Sequence, residues 1–225
     1  MTTENLSCQP YLLAIDPSLA NLGVALLDGM GHLVEVVQVT HHMDTHVPWE
    51  FRAAHMSLFL GYFIPSILEG RRVAVIIEVP SNWFSEKGQG SKDKGDVQKL
   101  YFFTGALATA LAVCPLVHSV WGVHPEQWKG QTPKKVVMQR LAKRCEREGF
   151  EEIIHNDAAE AAMLGVYSHE RREPDNEMSE VRFSQPITLI AKGAGFTRIG
   201  EEGREVRPVL YYSEFSLTHY TGRGE

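Results

Sequence analysis

The chain has 225 residues, is 44% hydrophobic and 22% charged, and carries a formal net charge of −6. Those proportions exclude an intrinsically disordered chain, and the acidic balance argues against a protein that coats nucleic acid over its whole surface. The length suits one domain with at most a small appendage. Cys8, Cys114 and Cys145 are odd in number and widely spaced, which fits neither a disulfide framework nor a zinc site and points to a reducing compartment. The N-terminus is polar, with Glu4 and no apolar signal core. The longest apolar stretch, residues 101–117, is broken by Thr104, Gly105, Thr109 and Pro115, and falls short of the roughly 18–20 residues of a membrane span. A cytoplasmic chain without membrane contact is therefore expected.

Residues 12–15 form an unbroken apolar run that stops at Asp16; after Pro17-Ser18 a second run extends from Gly23 to Leu27. Such runs read as strands buried on both faces. Asp16 then has two readings. It either opens an Asp-Pro turn, or it is a carboxylate mounted at a rigid strand end as a metal ligand or catalytic acid. A turn at 28–31 and a third strand over 33–39 complete a three-stranded antiparallel meander. His41, His42, Asp44 and His46 follow, but no helix or strand scaffold sets them at metal-ligand spacing, so a structural role is the simpler reading.

The spacing predicts a helix over 49–69, with Phe51, Leu58, Phe59, Tyr62, Phe63 and Ile67 as its apolar face and an early end or kink at Pro65. The apolar run 73–77 then stops on Glu78. A helix between the meander and this strand implies a crossover and a parallel pairing with the first strand. That pairing sets Asp16 and Glu78 side by side. Residues 79–96 change character, with glycines, lysines and the aromatic pair Trp83-Phe84; loops of this length in compact domains are functional or disordered. Trp83 and Phe84, with Lys87, Lys92 and Lys94 around them, suit stacking on unpaired bases beside phosphate. Equally, the two aromatics suit a lid folded onto the core. A small-residue helix over 97–113 and a strand over 116–123 follow.

Thr132-Pro133 reads as an N-cap and first-turn pair opening a helix to Arg147, with Lys134 and Lys135 beside exposed N–H groups that suit a phosphate. Between Lys129 and Arg147 seven Lys or Arg meet one Glu146, either an electrostatic footprint for phosphate or a solvated helix face. Asp157 and Glu160 open an alanine-rich helix at i, i+3 spacing. The spacing puts both acids on one face, and it is also a capping-box-like pattern. Pro174 and the charged run 170–180 end the compact body. Strands over 187–191, 196–199, 208–212 and 215–218 would then form an edge extension or dimer contact. The expected division is a main α/β domain over 1–175 and a β-rich extension over 176–225.

Acids at two strand ends and on a late helix, without His/Cys spacing, form a hard oxygen set that selects Mg2+ or Mn2+ over zinc. Two such ions support phosphodiester hydrolysis. Ile15-Asp16-Pro17-Ser18 with Gly23, the strand ending Ile77-Glu78, and Asn156-Asp157-Ala158-Ala159-Glu160-Ala161 resemble the RuvC family of Holliday-junction resolvases, within the RNase H-like superfamily. Trp128-Lys129-Gly130 and Pro133-Lys134-Lys135 look most similar to phage-encoded members. The resemblance spans about residues 11–167. Ser18 stands where the family usually has Gly, and Glu160 where Asp is more common.

The resemblance implies an α/β, RNase H-like fold: a mixed five-stranded sheet, meander plus parallel strands, flanked by helices and followed by the C-terminal β extension. It implies Asp16, Glu78, Asp157 and Glu160 as catalytic metal-binding acids with two Mg2+ (or Mn2+) ions. Lys134 or Lys135 would lie near the scissile phosphate, and DNA contacts would come from Trp83, Phe84, Lys87, Lys92, Lys94, Lys129, Lys134 and Lys135. The 80–96 segment would take the place of a loop entering the junction centre. The implied activity is paired nicking of four-way junctions or other branched DNA by a homodimer, leaving 5′-phosphates and using no small-molecule cofactor. The rivals are another RNase H-like nuclease acting on flaps or RNA–DNA hybrids, an actin-like ATPase or sugar-kinase type fold, and an inactive junction-binding scaffold.

Overall fold

The computed structural model describes residues 11–42, 46–80, 96–130, 132–171 and 215–222. They hold strands β1 (Tyr11–Asp16), β2 (Asn21–Leu27), β3 (Leu33–His41), β4 (Val73–Glu78), β5 (Val117–Val123) and β6 (Phe215–Thr221). The helices are α1 (Trp49–Leu68), α2 (Asp96–Ala112), α3 (Pro125–Trp128), α4 (Lys134–Glu148) and α5 (Asn156–Glu170). One sheet runs in the order β5-β4-β1-β2-β3-β6. The pairs β1–β2, β2–β3 and β3–β6 are antiparallel; β1–β4 and β4–β5 are parallel. The two-residue alternation of each strand assigns its side chains to two layers. Leu13, Ile15, Val75 and Ile77 face Met56, Leu60 and Ile64 of α1 and Phe103 and Leu107 of α2. Leu12, Ala14, Ala74 and Ile76 face Leu141 of α4 and Ala158 and Ala162 of α5. Asp16 and Glu78 continue this second set, so alternation turns both toward the layer that contains α5.

That layer sits close to the sheet because small residues let it. Ala158, Ala159, Ala161 and Ala162 of α5 are fully buried. A Cβ on Gly23, the partner of Asp16 in the β1–β2 pairing, would stand 2.0 Å from the Asp157 carbonyl oxygen. One on Gly165 would stand 2.4 Å from a Leu27 methyl. Both glycines are thus close-approach positions, and Gly23 brings the start of α5 down beside the end of β1.

Several expectations change. The sheet gains a sixth strand, because β6 pairs along β3 from His41↔Phe215 to Glu35↔Thr221; the other strands expected in the 176–225 extension lie outside the described residues. Helix α1 buries Ala53, Met56, Leu60, Phe63, Ile64 and Ile67, whereas Phe51, Leu58 and Tyr62 of the expected face are 55%, 62% and 82% exposed. By length and composition α1 would pass for a membrane-crossing helix; here that buried face packs into the sheet core. It also runs through Pro65 to Leu68, forgoing the one backbone hydrogen bond that Pro65 would have given to the Gly61 carbonyl. Helix α4 begins at Lys134 with Pro133, not Thr132, as its N-cap: Pro133 is extended (φ −63°, ψ 144°). His41 serves packing, and exposed His42 makes a hydrogen bond. His41 stacks on Phe215 and His55, and the His42 ring lies 2.7 Å from the Ser216 hydroxyl; Asp44 lies outside the described residues.

A candidate metal centre and its basic surround

Parallel pairing of Ile15 with Ile77 makes Asp16 and Glu78 the next residues on adjacent strands, at the carboxyl edge of the sheet where α/β folds place their ligands. Helix α5 begins over the same edge, with Asp157 and Glu160 in its first turns. Carboxylate oxygens of Asp16, Glu78 and Glu160 all lie within 4.8 Å of one another. Among the described residues this is the group of acids, histidines or cysteines placed to share an ion. Asp157 borders the trio: its carboxyl is hydrogen-bonded to Gln38 and feels both Lys134 and Glu160. The capping reading of Asp157 and Glu160 gives way, because the N-cap of α5 is His155 and makes no side-chain cap bond. Gln38, buried in β3, accepts the Ala158 N–H at 3.1 Å instead, satisfying one of the helix's free donors.

Two lysines enter the acid cluster. Lys129 Nζ lies 3.1 Å from Glu78 Oε2 and 2.6 Å from Glu160 Oε2, and Lys134 Nζ lies 3.0 Å from Glu160 Oε1. Trp128 Nε1 donates to Glu78 Oε2 at 2.7 Å, and the Lys129 ammonium sits 4.9 Å from the Trp128 ring centre. Lys135 is exposed on α4. Trp83, Phe84, Lys87, Lys92 and Lys94 lie outside the described residues.

The charges do not balance. Burial, then the neighbouring Glu78 and Glu160, push the Asp16 carboxyl well above the usual carboxylate range. Burial also raises Glu78, against the pull of Lys129 and Trp128. Glu160 goes the other way: burial would raise it, but hydrogen bonds from Lys129 and Lys134 hold it below its ordinary value. Burial would lower Lys129, yet Glu78 and Glu160 together raise it. Like charges held this close in a partly dry site favour protonation or a cation. An all-oxygen donor set fits a hard divalent ion rather than zinc, so these residues suit Mg2+ or Mn2+.

Sequence reasoning passed over two supports of this site. Trp128 enters the sequence reading only through the resemblance of its segment, with no role of its own. Gln38 carried a usable signal, a polar side chain inside the apolar run Val36-Val37-Gln38-Val39.

No protein-family model matches the chain, and no curated protein matches it. Solved structures do. Thermus thermophilus RuvC in complex with Holliday junction substrate is 17% identical, with a TM-score of 0.50 over 70% of this chain and 91% of that one. A second Thermus thermophilus RuvC structure is also 17% identical, with a TM-score of 0.49 over 70% and 92%. A yeast mitochondrial Holliday junction resolvase is 10% identical, with a TM-score of 0.46 over 74% and 80%. The mixed sheet, its flanking helices and the likeness to the first of these structures give this chain an RNase H-like α/β fold, as in Thermus thermophilus RuvC.

Proposed function

We propose that this chain is a divalent-metal-dependent endonuclease that cuts branched DNA, foremost the four-way junction, by paired hydrolytic nicks. One observation carries the reading: acids from β1, β4 and α5 bring their oxygens within 4.8 Å of one another at a strand edge flanked by Lys129 and Lys134. Asp16, Glu78 and Glu160, with Asp157 beside them, would hold Mg2+ or Mn2+. Ions in such a set lower the pKa of water and stabilise the attacking and leaving oxygens of an in-line displacement. The hydrolysis forms a water-oxygen bond to phosphorus and breaks the bond to the 3′ oxygen, which takes up a proton; a 5′-phosphate and a 3′-hydroxyl result. Lys129 and Lys134 supply positive charge at the edge of the site, where the phosphate's negative charge would be met. Trp83 and Phe84, with Lys87, Lys92, Lys94 and Lys135, are proposed to contact the junction.

Cutting two strands calls for two sites, and a two-fold dimer supplies them. Phe51, Leu58 and Tyr62 lie seven and four residues apart along α1, on one exposed stripe, and we assign that stripe to a second copy of the chain. The test is a cleavage gel with a four-way junction, a flap, an RNA–DNA hybrid and linear duplex, with and without Mg2+. Junction cutting that needs Mg2+ and is lost in Asp16→Asn and Glu78→Gln, with binding retained, is expected. Nicking by either variant at the wild-type level would sink the assignment, and preference for the hybrid or flap would replace the substrate.

A further inference from the structure

A groove of about 310 Å³ opens between α4 and α5. Its inner end is lined by Trp128 and Lys129, the pair that hydrogen-bonds Glu78, so it leads directly away from the acid cluster. Its outer wall carries Arg140, Lys143 and Arg147 of α4, all exposed. Their spacing of three and four residues places them in one row along the helix. The opposite wall is α5, with Tyr167. The Tyr167 hydroxyl donates to the Gln127 carbonyl, which ties that wall to the turn bearing Trp128 and Lys129.

The fourth cation in the row is already spoken for. Arg144 Nε lies 2.7 Å from Glu148 and Nη1 lies 3.1 Å from Glu170, and Nη2 donates to the Gly31 carbonyl at 2.8 Å. Arg144 therefore fixes α4 to α5 and offsets one of the two carboxylate charges it pairs with. Arg147 keeps only a long 3.7 Å approach to Glu148, with 71% of its side chain exposed. In a chain of net charge −6, a cationic row along one groove wall stands against the overall acidic balance and suits a polyanion.

We propose that this groove is a track for the sugar-phosphate backbone of the substrate arm leaving the acid cluster. The inference rests on the nuclease reading and adds the path of the arm to it. Length favours a polymer over a small anion. Arg140 and Arg147 stand two helical turns apart, roughly 10 Å, the axial span of about three base pairs. Arg147 lies roughly 20 Å along the helix from Lys134 at the acid cluster, about six base pairs.

The test is binding of the full chain to a fluorescent four-way junction in EDTA, across salt concentrations. It compares wild type with the triple variant Arg140→Gln, Lys143→Gln, Arg147→Gln, whose folding is checked by circular dichroism. Each phosphate contact contributes about 0.9 to the slope of log affinity against log salt, so the triple variant should lose about 2–3 of that slope. Between about 50 and 200 mM salt, wild type should then weaken roughly 40-fold more than the variant. Arm length is the second axis. The defect should be full with hairpin-capped arms of about 15 base pairs and should shrink with arms of about 4, too short to reach Arg147. An unchanged salt slope, or an equal defect at both arm lengths, overturns the track. A wild-type chain that cuts no DNA yet shows both differences would discard the nuclease reading and leave the track standing.

Discussion

Asp16→Asn separates the electrostatics of the acid cluster from its chemistry. The substitution keeps the shape and removes one charge from a group whose oxygen lies within 4.8 Å of oxygens on Glu78 and Glu160. Two unit charges at that distance repel by about 3.5 kcal/mol at an effective dielectric of 20 and by about 1 kcal/mol in water. The attraction of Asp16 to Lys129 offsets part of this, so the variant should be more stable than wild type in EDTA by about 1–3 kcal/mol. For a chain of this size each kcal/mol moves Tm by about 2–4 °C, so a rise of about 2–10 °C is expected in differential scanning fluorimetry. Saturating Mg2+ should do the opposite. Wild type gains about 2.7 kcal/mol at a hundredfold excess over Kd, a rise of about 5–10 °C, while the variant barely responds. A variant that melts below wild type in EDTA and keeps the full Mg2+ response would refute a shared, repelling metal site.

Gly23→Ala should cost at least about 1–3 kcal/mol by overpacking, because its Cβ would meet the Asp157 carbonyl oxygen at 2.0 Å; urea unfolding measures it, and a neutral result would show that α5 can lift from β2. Trp128→Phe removes the donor that Glu78 accepts at 2.7 Å and should weaken metal affinity about 10–100-fold. A Mn2+ thermal-shift titration reads this, and an unchanged midpoint would deny Trp128 a role in positioning Glu78. His41 is held below the ordinary histidine value of 6.5 by burial, with His55, Arg52 and His42 adding positive charge nearby. The folded chain therefore binds that proton less readily than the unfolded one, so this stability is complete above the ordinary value and is lost as pH falls through and below it. The Tm of wild type should drop more than that of His41→Phe between about pH 7.5 and 5.5, and parallel curves would clear His41 as the source.

The legible parts of the site were those that strand grammar controls. Asp16 and Glu78 each end an apolar run, and a crossover helix between two such strands makes them parallel neighbours, so their adjacency followed from order alone. Asp157 and Glu160 were ambiguous because the same spacing serves a cap and a shared face. What separates the two is the height of α5 above β1 and β2, which depends on the missing side chains of Gly23 and Gly165. Trp128 and Glu78 are 50 positions apart, and nothing local to either predicts their hydrogen bond. Phe59, Phe63 and Ile67 of the expected α1 face do point inward, but Phe51, Leu58 and Tyr62 are apolar and exposed, and a helix apolar on several sides leaves the choice of inner face to its neighbours. Strand β6 is mostly polar and exposed. It joins the sheet through Phe215, stacked between Phe59 and the rings of His41 and His55, and through buried Tyr220, contacts that become visible only once β3 is an edge.

The lysines in the acid cluster explain how a site so charged can fold before any ion arrives. Asp16, Glu78, Asp157 and Glu160 would bring four negative charges to one strand edge; Lys129 and Lys134 return two. A buried carboxylate without a partner costs far more than one that is paired and hydrogen-bonded, and Glu160, which exposes 5% of its surface, is the one both lysines reach. Its length matters here, since the additional methylene of Glu over Asp extends the carboxylate toward both ammonium groups. If the acids were committed to divalent ions, the same lysines would lose their partners while staying within a few ångströms of the strand edge. In the proposed nuclease their positive charge would meet the phosphodiester, so one pair of side chains would serve both the folding of the acid cluster and the charge of the substrate.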